Sequence, residues 1–167
     1  KKKGMEKMSS IKIVADSTCD LSPELIRDYG ITILPLNIVL DMTSYSDGEE
    51  ISPDEIYVWA QANKRTPKTA AVAFDRALAL VKGMKENQEE VIFIGISSEM
   101  STTCNVMRLV KEELEYDRMF IIDSRNLSTG IGLQVLRAAQ LAQEGRSAEE
   151  IVKEIEEARD KVRASFV

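Results

Sequence analysis

Val91-Ile92-Phe93-Ile94-Gly95-Ile96 runs straight into Ser97-Ser98, and Ser101-Thr102-Thr103 follows at once. A β-branched and aromatic run with no polar interruption reads as a strand buried on both faces, as in a parallel sheet covered by helices. The hydroxyls that end the run mark a turn. The helix expected from Ser101 carries the apolar stripe Val106, Leu109, Val110 and Leu114. The same order of strand, polar turn and helix recurs on either side. Upstream, Ile11-Lys12-Ile13-Val14-Ala15 ends in Asp16-Ser17-Thr18. Downstream, Met119-Phe120-Ile121-Ile122 ends in Asp123-Ser124 and leads to helices expected over about Ser128–Glu144 and Ser147–Ala164.

The intervening chain follows the same rules. Ser22-Pro23-Glu24 opens a helix, with serine as N-cap and proline at the first helical position, and Gly30 closes it. Ile31 to Leu40 is apolar at most positions and predicts a second buried strand, with Pro35 marking an edge or bulge. Asp47-Gly48 is a tight-turn signal. Ser52-Pro53-Asp54-Glu55 has the spacing of a capping box and opens a helix to about Ala62. A polar connector covers Asn63 to Thr69, and Phe74–Lys85 predicts a further helix with Leu78 and Val81 on one face. Strands alternating with helices predict a three-layer α/β/α domain with a largely parallel sheet and right-handed crossovers. One domain is expected over residues 11–167, with residues 1–10 a disordered or tag-derived tail.

Composition narrows the chemistry. The chain has 167 residues, 22 Lys+Arg against 28 Asp+Glu, a net charge of −6, two cysteines and no histidine. Without imidazole, a Ser-His-Asp triad, a Cys-His pair and any histidine-based metal cage are impossible within this chain. Cys19 and Cys104 form no CxxC site and no disulfide framework. The acidic balance argues against a nucleic-acid backbone binder. No apolar run approaches the roughly 20 residues of a membrane span. Lys1-Lys2-Lys3-Gly4-Met5 lacks the apolar region of a secretory signal, so a cytoplasmic setting is expected.

In sheets of this class ligands bind beyond the carboxyl ends of the strands. Here those ends are rich in hydroxyls, several of them just before helix N-termini, whose unpaired N–H groups and partial positive charge suit an anion. Each hydroxyl taken alone is accounted for as a helix cap worth about 1 kcal/mol. Their clustering points instead to an anionic head group. Asp16 and Asp123 read either as metal ligands or as turn-forming residues. No GxGxxG or GxxxxGK[ST] phosphate loop is present. Gly130-Ile131-Gly132 fits a close approach of its helix to the sheet. Cys104 sits where a helix dipole could lower a thiol pKa, but it is read, like Cys19, as a small buried apolar residue. The glutamates of the last helix read as a solvated face paired locally with Lys153, Arg159, Lys161 and Arg163.

Six stretches taken together resemble the DegV family of bacterial fatty-acid-binding proteins. They are Asp16-Ser17-Thr18-Cys19-Asp20-Leu21-Ser22-Pro23-Glu24, Tyr29-Gly30-Ile31 with Leu34-Pro35-Leu36, and Tyr45-Ser46-Asp47-Gly48 with Ile51 to Tyr57. Pro67-Lys68-Thr69-Ala70, Ile96 to Thr103, and Asp123-Ser124 through Ser128, Gly130 and Gly132 complete the set. The resemblance implies a non-enzymatic protein with no catalytic residue, metal or cofactor, which holds a long-chain fatty acid with its tail buried. It further implies that Thr69 and Ser101 grip the carboxylate, with Ser17, Ser97, Ser98 and Thr102 around them. The bound acid is presented to a separate fatty-acid kinase that makes an acyl-phosphate. Family members carry serine after that threonine and glycine after that serine, where this chain has Ala70 and Thr102. They also have a second domain that covers the tail and contributes a histidine, and the expectation is that this chain is the first domain without it. Two other readings of the residues stay open: a small-molecule hydrolase or phosphotransferase using the hydroxyl rim with Asp16 or Asp123, and a fragment that self-associates through an exposed apolar face.

Overall fold

The computed structural model describes residues 10–163, so the expected tail, apart from Ser10, and the expected helix end at Ala164 lie outside the described residues. In chain order the elements are β1 (Ile11–Asp16), α1 (Pro23–Asp28), β2 (Thr32–Leu34), β3 (Asn37–Leu40), β4 (Thr43–Ser46) and α2 (Pro53–Asn63). They continue with β5 (Lys68–Ala70), α3 (Phe74–Glu86), β6 (Glu90–Gly95), α4 (Thr103–Glu113), β7 (Met119–Asp123), α5 (Thr129–Gln143) and α6 (Ala148–Arg159).

The uninterrupted apolar run of β6 dictates the layering. It lies inside a four-stranded sheet of order β2-β1-β6-β7, in which every pairing is parallel. Successive side chains leave a strand on opposite faces. Val91 and Phe93 enter one core with Val14 and Met119, against Val81 of α3 and Met107 and Val110 of α4. Ile92 and Ile94 enter the other with Ile13 and Ile122, against Ile131 and Val135 of α5 and Ile151 and Ile155 of α6. All four of these β6 side chains are fully buried. At about 1.5–3 kcal/mol for each large apolar side chain removed from water, both faces are strongly held. The three-layer α/β/α fold with a parallel sheet is therefore the architecture of this chain.

The local punctuation behaves as its chemistry dictates. Ser22 caps α1 with Pro23 in the first turn, and Ser52 and Glu55 form both halves of a capping box on α2. Ser147 and Glu150 do the same for α6. One helix starts later than its hydroxyls suggest: α4 begins at Thr103 with Thr102 as N-cap, so Ser101 precedes the helix.

Ile31–Leu40 is not one strand of the main sheet. Pro35, which has no N–H to give a ladder, falls between β2 and β3. Beyond it β3 leaves the parallel sheet and becomes the centre of a second, antiparallel sheet of order β4-β3-β5. Strand β5 occupies part of what reads as a polar connector. Ile38, Leu40 and Ile51 form the small core of this second sheet, with Tyr45, Ile56 and Trp59 packed on it.

The two sheets meet near the end of β1. Asp16 is fully buried there. Its Oδ2 accepts the Ile96 backbone N–H (2.7 Å), which ties β1 to the chain leaving β6. Its Oδ1 accepts the Thr18 N–H (2.9 Å) and the Thr18 hydroxyl, closing a 3-10 turn over Ser17–Cys19. Helix α5 lies directly on that turn: a Cβ added at Gly132 would stand 2.7 Å from the Cys19 carbonyl oxygen. The Gly130-Ile131-Gly132 stretch suggests a close approach to the sheet; the approach at Gly132 is instead to the turn that follows β1, while a Cβ at Gly130 would meet the Asn126 side chain.

Gly132→Ala is therefore expected to cost about 1–3 kcal/mol through overpacking against backbone. Gly83→Ala in α3, where an added Cβ meets nothing within 4 Å, should instead gain about 0.5–1 kcal/mol. Urea unfolding of the two variants checks both signs. A second expectation concerns Asp16, whose carboxyl is raised by burial against the opposing hydrogen bonds of Thr18 and Ile96. A carboxyl that titrates higher in the native state contributes stability below its ordinary value of 3.8, and loses it as pH rises through the native value. The stability of the wild type relative to Asp16→Asn should therefore fall over the pH range upward from the ordinary value of 3.8. Denaturant midpoints over that range read it, and a gap moving the other way contradicts it.

Candidate functional site

Most hydroxyls at the carboxyl edge of the sheet are committed to the fold. The Thr18 hydroxyl serves Asp16. The Ser17 hydroxyl accepts the Leu36 N–H (3.0 Å) and donates to Asp47 Oδ2 (2.7 Å). Ser124 is buried and closes its own turn with Asn126. Ser128 donates to Asp20 Oδ2 (2.6 Å), pinning the start of α5 to the turn after β1.

The loop from Ile96 to Thr102 is fixed by its backbone. The Ser97 N–H bonds the Asn126 carbonyl (2.9 Å), the Ser98 N–H lies 3.3 Å from both Asp123 carboxylate oxygens, and the Ser101 N–H bonds the Ser97 carbonyl (3.1 Å). The Ser97 hydroxyl accepts the Glu99 N–H (3.3 Å). Burial raises the Asp123 carboxyl, but hydrogen bonds from Ser98 and Arg125, with the Arg159 charge, outweigh it and leave the group below its ordinary value. Asp16 and Asp123 thus both act as turn-forming acceptors. Among the described residues no group of three His, Cys, Asp or Glu side chains is placed to hold a metal ion.

Ser101 is half-buried, and its hydroxyl oxygen accepts the Thr103 N–H (3.2 Å) and lies 2.9 Å from the Thr103 hydroxyl. Thr103 is fully buried. Either hydroxyl can donate in this pair; in the arrangement where Thr103 donates, the Ser101 proton is left for a ligand. Thr102 makes no side-chain capping bond, so the first turn of α4 keeps its positive character close to Ser101. Thr103 is the residue that a reading of the sequence passes over. Its signal is the two-residue Ser-x-Thr spacing at a helix start, which looks like ordinary capping until burial shows that Thr103 faces inward.

Thr69 lies in a different sheet. It is the central residue of β5, exposed, and paired with Ile38 of β3. Asn37 extends the same pairing by donating its side-chain N–H to the Ala71 carbonyl (2.9 Å). Among the described residues no hydrogen bond joins Thr69 to Ser101.

Between the Ser17 turn, α1 and the β2–β3 junction lies a cavity of about 340 Å³ with Cys19, Leu21, Ile26, Ile33 and Pro35 in its walls. Asp20, Asp47 and Glu49 also line it, a charge pattern that disfavours an anionic head group. The two thiols are buried and free. Burial, followed by the Asp123 charge, pushes Cys104 up to about 12, so the dipole of α4 does not activate it. Burial raises Cys19 as well. Among the described residues no helix is long and apolar enough to cross a membrane.

Comparison with known proteins bears on the fold and the family. A family model described as "uncharacterised protein, DegV family" matches residues 10–167. A DegV domain-containing protein of Clostridium perfringens is 41% identical over 159 residues, which cover 95% of this chain and 57% of the relative. A solved DegV-family protein from Thermus thermophilus, described as fatty-acid binding, superposes with a TM-score of 0.83 at 31% identity, over 90% of this chain and 54% of that one. A stearic-acid-binding protein from Eubacterium ventriosum superposes with a TM-score of 0.79 at 27% identity, over 87% of this chain and 52% of that one. The chain spans somewhat more than half the length of these relatives. With a matching model over nearly its whole length, this chain belongs to the DegV family.

Proposed function

We propose that this chain is the carboxylate-gripping domain of a non-enzymatic protein that binds long-chain fatty acids, with Thr69 and Ser101 as the ligands of the acid. The observation that carries the reading is the half-buried Ser101 hydroxyl at the start of α4, which accepts the Thr103 N–H and shares a hydrogen bond with the buried Thr103 hydroxyl, an arrangement in which Thr103 can donate and leave the Ser101 proton to a ligand. The relatives described as binding fatty acids support the ligand class. A carboxylate needs O–H or N–H donors, and hydrogen bonds to an ionised group are worth about 1.5–3 kcal/mol each. The tail supplies the larger share, at about 0.8 kcal/mol per buried CH₂.

In this reading the second, tail-covering domain and its histidine belong to the longer form of the protein. The protein performs no reaction itself, and a separate kinase phosphorylates the acid it presents. The absence of a glycine-rich phosphate loop from the sequence fits a role without nucleotide.

Solvent extraction of the purified protein followed by mass spectrometry should recover a long acyl chain. Loss of one hydroxyl, in Thr69→Ala or Ser101→Ala, should weaken oleate binding by about tenfold or more. The double variant should bind oleate no better than it binds oleyl alcohol. Titration with a fluorescent acid displaced by oleate measures both. Undiminished oleate affinity in the double variant refutes the assignment.

A further inference from the structure

Asp16 and Ser17 are neighbours at the end of β1, and each holds a different wall of the proposed site. Asp16 fixes the Ile96 N–H, where the chain leaves β6 for the loop that carries Ser101. Ser17 reaches the other way. Its oxygen takes the Leu36 N–H just before β3, and its proton goes to Asp47 just after β4, residues 19 and 30 positions away. The Asp47 N–H in turn bonds the Leu36 carbonyl (2.9 Å), so one hydroxyl closes a ring that includes both ends of the β3–β4 hairpin.

From there the path to Thr69 is short. β3 pairs with β5 through Asn37 with Ala70 and Ile38 with Thr69, and the Asn37 side chain adds a bond to Ala71. Ser17 is not occupied by its own turn, because Asp16 already caps it through the Thr18 N–H. Another link between this hairpin and the main body, Arg76 to Ser46 and Glu49, is exposed and carries little energy.

We propose that Ser17, working with Asp47, is a positioning residue that sets where the Thr69 strand stands relative to the Ser101 loop. The proposal rests on the reading of Thr69 and Ser101 as the carboxylate ligands. Neither Ser17 nor Asp47 needs to touch the acid. Two weak donors, one on β5 and one on the loop after β6, act as one grip only if their separation is held to a fraction of an ångström, and the Asp16-Ser17 pair is the part common to both supports.

The test uses the full chain labelled with nitroxides at Lys68→Cys and Met100→Cys, both exposed, while the buried Cys19 and Cys104 stay unlabelled. The wild-type background should give one narrow inter-label distance. Ser17→Ala should broaden or shift it, and Ser17→Thr, which keeps a hydroxyl, should restore it. Asp47→Ala breaks the same ring from its outer side and serves if Ser17→Ala does not fold. An unchanged narrow distribution in Ser17→Ala or Asp47→Ala overturns the proposal. In parallel, the preference for oleate over oleyl alcohol should fall about tenfold in Ser17→Ala, a selectivity that general loosening of the fold would not alter. A wild-type protein without affinity for oleate refutes the fatty-acid reading alone, and the distance measurement still decides the positioning role.

Discussion

A buried carboxylate at the end of the first strand is the constraint on which the arrangement depends. Asp16 sits with no exposure to water, and such a group is tolerated only if its oxygens are supplied with donors. Here the donors come from two directions: the turn that follows β1, and the backbone where the chain leaves β6. Satisfying one side chain therefore fixes the register of a turn and the exit of a neighbouring strand together. Removing any of those donors would leave a desolvated charge, so the edge of the sheet has little freedom to rearrange. That rigidity carries over to α5, whose Gly132 rests on the Cys19 carbonyl of the same turn.

The parts of this arrangement that were legible in the sequence are those governed by local chemistry. The unbroken run of β6 announces a two-sided strand, and Ser52 with Glu55 announces a helix start, because burial and capping each act within a few residues. The second sheet was not legible. β4 and β5 are short and largely polar, and their existence depends on pairing with β3 rather than on any pattern of their own. Pro35 carried the one available hint, an interruption in an apolar segment, yet a bulge and a departure from the sheet look alike at that level. Ser101 and Thr103 show the same boundary within the site. Residue type suggested donors near a helix start, but which hydroxyl caps, which one supports and which one is left to donate depends on burial.

The separation of committed from available hydroxyls also sharpens what the rim can do. Serine and threonine are weak nucleophiles without a base, and this chain has no histidine to serve as one. The two aspartates nearest the rim are acceptors inside turns, with Ile96, Thr18, Ser98 and Arg125 as donors. On the fatty-acid reading, an edge of this kind would recognise its ligand by donating protons in hydrogen bonds. It would also favour an anion whose remaining surface is apolar, because a few neutral donors cannot repay the dehydration of a densely charged group such as a polyphosphate.

Neutral donors have a further consequence for a protein read as a carrier. A lysine or arginine at the head-group position would add a full charge to the grip and deepen the well from which the acid must leave. Hydroxyls give modest bonds whose strength falls steeply with misplacement, so holding and releasing are separated by small movements of the supports. Thr69 stands on the second sheet and Ser101 on the loop that leaves the first, and the Ser17–Asp47–Leu36 ring is one mechanical link between the two sheets. Leu36 ties this ring to the Phe93 core, where its side chain is buried, so on the fatty-acid reading a partner that strained the ring would pull on the head group from the edge of that core. On the fatty-acid reading, the modest strength of the polar clamp is then what allows a tightly held tail to be given up.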